Sequence, residues 1–237
     1  MTRLLAALAV LVALPFAANA QDTLPPGQSP APAENLTPEQ FSQIVSYSLG
    51  RSIGQDAKMA GVKLDMRALQ TGINEVEAGK PAQRSDEEMN QVMMVFAMRI
   101  QKQMAADNLK AGQEFLAKNA KDPAVKSTAS GLQYKVLKPG TGKSPKATSV
   151  VVCHYHGTFI NGAVFDSTQG GQPAQFPLNR VIPGWTEALQ LMKEGAKYRI
   201  FVPSNLAYGE NGRDGIGPNE TLIFDIELLK VADGQLP

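Results

Sequence analysis

The sequence predicts an α+β chain: helices through the first half, then an antiparallel sheet covered by one short helix. Two observations carry that prediction. Apolar residues recur at helical spacing up to about residue 121 and at every second position after Gly131. Composition divides at nearly the same place. Seven of the nine methionines lie between Met59 and Met104, whereas ten of the fifteen aromatic residues and fourteen of the twenty-one glycines follow residue 127. A length of 237 residues accommodates two ordinary domains. The division assigns residues 37–127 to the helices and residues 128–237 to the sheet.

The chain opens with Arg3, an apolar run from Leu4 to Leu14, and Ala18-Asn19-Ala20. That order is the pattern of a cleaved export signal, so residues 1–20 are expected to be removed after Ala20. The run is too short to span a membrane, which takes about 20 apolar residues. Residues 21–36 carry Pro25, Pro26, Pro30 and Pro32 without periodicity and read as a flexible leader. Overall there are 23 basic and 22 acidic side chains, so no basic surface for nucleic acid is expected. A single cysteine excludes an intrachain disulfide, and two histidines leave little for a zinc centre. No metal or cofactor is expected.

Thr37-Pro38-Glu39-Gln40 begins the first helix: Thr37 caps, Pro38 suits the first turn, and Gln40 closes a capping box. Phe41, Ile44, Val45 and Leu49 then share a face. A second helix starts at Asp65 and stops before Gly79. Ser85-Asp86-Glu87-Glu88 reads as another capping box, opening a long helix to about Lys121. On it Met89, Val92, Phe96 and Ile100 form a stripe that Met94 and Met98 widen beyond the need of one packing partner. Methionine suits pliable interfaces. The segment therefore reads as a dimerisation module whose long helix projects into solvent beyond Met104, with an ordinary three-helix core as the alternative.

After Gly131, Leu132, Tyr134 and Val136 alternate with polar residues. Val150 to Gly157 is the next strand, with Val151, Cys153 and Tyr155 on one face and His154 and His156 on the other. Asn161-Gly162 marks a hairpin. Pro183-Gly184-Trp185 starts a short helix through Leu189 and Met192, and Tyr198–Val202 and Thr221–Leu229 are two more strands. Cys153 shares the inward face and reads as a buried thiol. The two histidines read as solvated strand residues.

Several motifs occur in order here: Val152-Cys153-His154-Tyr155-x-Gly157, Asn161-Gly162-x-x-Phe165-Asp166-Ser167, Val181-Ile182-x-Gly184-Trp185, Ala207-Tyr208-Gly209 and Thr221 to Leu228. As a set they resemble the FKBP-type peptidyl-prolyl cis-trans isomerases, over almost all of residues 130–231. Tyr47-Ser48-Leu49-Gly50 and Gly131-Leu132-Gln133-Tyr134 resemble the exported Mip-like and FkpA-like branch. The resemblance implies a half-barrel sheet around the short helix, preceded by an all-α homodimerising domain on a long connecting helix. It also implies a site. Tyr155, Phe165, Phe176, Val181, Ile182, Trp185 and Phe224 would line a proline pocket, with Trp185 as its floor. Asp166 would sit at the rim beside Tyr155. The Ile182 N–H and the Tyr208 hydroxyl would hold substrate carbonyl oxygens, and Ile216 would be an apolar wall.

The sequence departs from the small cytosolic members in two places. The stretch from Gly170 to Phe176 is shorter, and Arg213-Asp214 stands where they often carry histidine. The implied partners are unfolded chains containing proline, macrolides of the FK506 and rapamycin type, and a second copy through residues 37–105. The implied location is the periplasm, the outer membrane or the cell surface. A different class of function, a chaperone holding unfolded clients in the dimer cleft, is the alternative.

Overall fold

The computed structural model describes residues 35–232; the expected export signal and most of the expected leader lie outside them. The chain forms two compact units that divide between Ala111 and Gly112.

The first unit is helical. Helix α1 (Pro38–Met59) starts as its sequence dictates: the Gln40 N–H donates to Thr37 Oγ1 at 3.2 Å, and the Thr37 N–H to Gln40 Oε1 at 3.0 Å. Helix α2 (Met66–Glu77) is capped by the Asp65 carboxylate, which accepts from the N–H groups of Arg67 and Ala68. At helix α3 (Asp86–Asn119) only half of the expected box forms. Ser85 Oγ accepts from the Glu88 N–H, while the Glu88 carboxylate pairs with Arg84 at 3.2 Å instead. An i,i+4 ion pair competes with the reciprocal bond, and here it wins.

These helices do not make the three-helix core of the alternative reading. Among the described residues of the unit, Ala57 and Ala60 alone are buried. Phe41 is 56 % exposed, Leu49 59 %, Val92 63 % and Met94 65 %.

Among the described residues, the second unit is a seven-stranded sheet with every pairing antiparallel. The strands are β1 (Val125–Ser127), β2 (Gln133–Lys138), β3 (Val150–Phe159), β4 (Val164–Ser167), β5 (Ala174–Pro177), β6 (Lys197–Val202) and β7 (Leu222–Ala232). Their order is β1-β2-β6-β7-β3-β4, with β5 pairing the first half of β3 and β4 its second half. The short strands β1 and β5 are not evident from the sequence, because three or four residues cannot establish an alternation. Helix α4 (Pro183–Gln190) covers one face and buries Trp185, Ala188 and Leu189, with Met192 just beyond. They pack with Val151, Cys153, Ile200, Val202, Ile226 and Leu228 in one continuous core. Burial pushes the Cys153 thiol up to about 12, which leaves it a packing residue.

The end of α3 does not project into solvent as the thinning of its apolar pattern suggests. Its last two turns lie on the sheet. Gly112 is buried, with no room for a Cβ against Thr221 Oγ1, and the Phe115 ring packs on Phe201 at 5.9 Å. Gln133 at the start of β2 fixes the helix terminus. Its amide donates to the Leu116 carbonyl at 3.0 Å and its oxygen accepts from Asn119 at 2.8 Å. The Leu116 carbonyl also accepts from the Ala120 N–H at 2.9 Å, so Gln133 adds a second bond to it. Gln133 is itself buried, so Gln133→Leu removes both bonds and leaves the Asn119 amide without its acceptor. The substitution is expected to lower stability by about 1–3 kcal/mol, read from the denaturant midpoint.

Candidate active site

Beside α4 the sheet stays open and forms a cavity of about 670 Å³. That is ample for a small ligand. Strand β3 contributes Tyr155, β4 Phe165 and Asp166, β5 Phe176 and β7 Phe224. Val181, Ile182 and Trp185 come from the entry into α4, and Tyr208 and Ile216 from the long loop between β6 and β7. All ten site residues named from the sequence thus line one cavity, although they are spread over seventy positions of chain.

Strand periodicity explains the strand members. Val151, Cys153 and Tyr155 alternate on the inward face of β3, and Phe224, Ile226 and Leu228 do so on β7. The helix begins here because Pro183 fixes the first turn, and the carbonyl of Ile182 accepts from the N–H groups of Trp185 and Thr186. Thr186 also donates through its hydroxyl to the Leu178 carbonyl at 2.7 Å, tying the helix to the turn before it.

Trp185 lies edge to face with three rings: Tyr155 at 5.2 Å, Phe176 at 5.6 Å and Phe224 at 5.2 Å. Phe165 extends the cluster, T-shaped on Phe224 at 5.4 Å and tilted on Phe159 at 5.0 Å. Such arrangements suit the ring quadrupoles, at about 0.5–1.5 kcal/mol per pair beyond burial. Gly157 makes room for them. A Cβ there would stand 2.6 Å from Phe165 Cζ and 3.2 Å from Phe224 Cδ1.

Polar side chains share the lining with these rings. The Tyr155 hydroxyl donates to Asp166 Oδ2 at 2.6 Å. Burial first, and then the bonded carboxylate, raise the Tyr155 phenol well above its ordinary value, so it stays a proton donor. The Tyr208 hydroxyl accepts from Arg213 at 3.1 Å. Among the described residues the Ile182 N–H donates to no protein group. The cavity also takes in Arg180, Arg213, Asp214 and Gly215. The sequence marks Arg213 and Asp214 only as a departure, and Arg180 not at all, since an exposed arginine beside a turn carries no pattern.

The histidines lie on the sheet's other face. His154 Nδ1 meets Thr168 Oγ1 at 3.1 Å, and His156 Nδ1 meets Ser167 Oγ at 3.0 Å. Both are half-buried rather than freely solvated.

Residues 141–229 match the model of the FKBP-type peptidyl-prolyl cis-trans isomerases, and residues 42–136 match that of the domain amino-terminal to them. The chain is 42 % identical to the FKBP-type peptidyl-prolyl cis-trans isomerase FkpA of Aeromonas hydrophila, over 92 % of this chain and 88 % of that one. It is 41 % identical to the outer membrane protein MIP of Legionella longbeachae, over 79 % and 84 % respectively. Among solved structures, FkpA from Escherichia coli matches with a TM-score of 0.61 and 40 % identity, covering 82 % of this chain and 97 % of that one. Fold, motif order and relatives agree that the chain belongs to the FKBP-type peptidyl-prolyl cis-trans isomerases, of the FkpA and Mip type.

Proposed function

We propose that the cavity beside α4 is where this isomerase turns X-Pro bonds, and that its clients are exported chains during folding. One observation carries the site: a cavity bounded by six aromatic side chains, with Asp166, Arg180, Arg213 and Asp214 also lining it. The amide's partial double bond sets a barrier of about 18–20 kcal/mol. Rotation breaks no bond to carbon, so no nucleophile is needed. Twisting removes the charge separation across C–N. Water solvates the planar, more polar amide better than the twisted one, and a dry aromatic cavity reverses that preference. Binding the transition state better than the ground state is catalysis.

In this reading Tyr155, Phe165, Phe176, Val181, Trp185 and Phe224 enclose the proline ring, with Trp185 as floor and Ile216 as a wall of the loop. Asp166 holds the Tyr155 hydroxyl at the rim. The Ile182 N–H and the Tyr208 hydroxyl take substrate carbonyl oxygens on either side. Macrolides of the FK506 type would occupy the same space and perturb Trp185, the protein's only tryptophan.

Residues 37–105 are read as the homodimer interface. Support comes from the exposed Phe41, Leu49, Val92 and Met94. So does a groove of about 780 Å³ within the helical unit, lined by Ile53, Val62, Leu64, Leu69, Val92 and Phe96 among others. A second copy of the same helices supplies the apolar surface that one copy lacks. For location, the reading is export to the periplasm or outer membrane. The signal-like residues 1–20 and the name of the Legionella relative support it. Among the described residues no helix is long and apolar enough to cross a membrane.

Three outcomes test these readings. Phe165→Ala should lower the acceleration of a proline-limited refolding reaction by about tenfold or more, equivalent to about 1.4 kcal/mol of transition-state binding. Equal acceleration by variant and wild type would reject the site. Gly157→Ala should displace the Phe165 ring and lower kcat/KM on a proline peptide, while circular dichroism stays that of the folded sheet. Finally, a fragment beginning at Lys110, which keeps the last turns of α3 on the sheet, should sediment as a monomer and retain activity on short peptides. A dimeric fragment would place the interface elsewhere.

A further inference from the structure

The two tyrosine hydroxyls of the cavity are in different states. Tyr155 spends its single proton on Asp166. Tyr208 Oη instead accepts from Arg213 Nη1 at 3.1 Å, and the guanidinium carbon lies 5.1 Å from the centre of the same ring. Arginine has donors and no acceptor, so it cannot take the Tyr208 proton. Among the described residues that proton goes to no other group. We propose that Arg213 is a positioning residue for the isomerisation. It holds the Tyr208 ring and fills the hydroxyl's acceptor side, which leaves the O–H directed to a substrate carbonyl.

The loop is built to hold Arg213 still. Arg213 and Ile216 exchange both backbone hydrogen bonds, each 2.9 Å. The Asn219 N–H donates to the Gly209 carbonyl at 2.8 Å and closes the base of the loop. Gly212, at φ 64°, brings its backbone so near Ile216 and Gly217 that a Cβ would strike both. The Ile216 side chain is buried and forms a wall of the cavity. Guanidinium and wall are therefore set by the same two-bond bridge. Arg213 itself is exposed, and a substituted side chain leaves that bridge intact.

The bond from Arg213 and a bond from the hydroxyl to a substrate carbonyl would form one chain, and bonds in such a chain polarise one another. Arg213 need not touch substrate to act. This proposal rests on the reading of Tyr208 as a holder of a substrate carbonyl, and a double-mutant cycle separates the two.

The full-length protein is assayed on peptides carrying Glu, Ala or Lys before proline. Tyr208→Phe and Arg213→Met are each expected to lower kcat/KM about three- to tenfold. The double variant should be no worse than Tyr208→Phe, and the loss in Arg213→Met should be the same for all three peptides. A role confined to loop stability would still lower activity in the Tyr208→Phe background. Additive losses, or a loss in Arg213→Met graded by peptide charge, would overturn the positioning role and leave Tyr208 in place. So would full activity of Arg213→Met beside an impaired Tyr208→Phe. Full activity of Tyr208→Phe would remove the Tyr208 reading itself, and this proposal with it.

Discussion

The cavity beside α4 depends on how Trp185 is packed. Its indole is 4 % exposed, and three aromatic rings stand against it nearly at right angles. Its Nε1 is buried without a hydrogen-bond partner among the described residues. The ring is thus held by shape and not by a polar tether. It belongs to the hydrophobic core on one side and to the cavity on the other. The interactions that stabilise the fold are therefore the ones that shape the site, and a close-packed interior gives neither much freedom to move. This suits a reaction that asks for an apolar environment and exact placement more than for a reactive group.

The close approach of backbone and side chains around that ring explains several glycines at once. Gly157 lies under Phe165. Gly184 lets α4 come down on β6, where a Cβ would meet Val202 Cγ1 at 2.5 Å. Gly212 permits the tight loop that carries Ile216. Each is a place where the cavity wall could not be as near with any other residue. On the opposite face of the sheet, surface ion pairs take over. Arg199 makes two bonds to Asp225, at 2.6 and 2.7 Å, which hold the arginine further toward its charged form.

The helical unit presents the reverse problem. Its residues have good caps and good helix formers, so the helices themselves follow from local sequence. What a single chain cannot do is bury them. Local signals specify three helices, while the apolar surface they carry exceeds what those helices cover. By contrast, α3 ends on a surface that is satisfied within the chain, by Phe115, Gln133 and Asn119. One helix thus has two ends of different character, an apolar beginning open to solvent and a polar, fastened end.

The sequence by itself determined the element types, the cap at Thr37, the alternation of β3 and β7, and the motif set that names the family. These are legible because each is local or repeats with a fixed period. Membership of eight of the ten cavity residues came from that motif set, and that of Phe176 and Ile216 from the family resemblance around it. Their convergence on one cavity was decided only by the antiparallel order of the sheet, which sets β3 and β7 side by side and sends the long loop over their ends. Tertiary structure alone also decided the short strands β1 and β5, the docking of the end of α3, the loss of the Glu88 half of a cap to Arg84, and the bond from Arg213 to Tyr208. The reason is the same in each case. These features are choices between partners that are distant in sequence or compete locally, and no period or spacing along the chain records which partner wins.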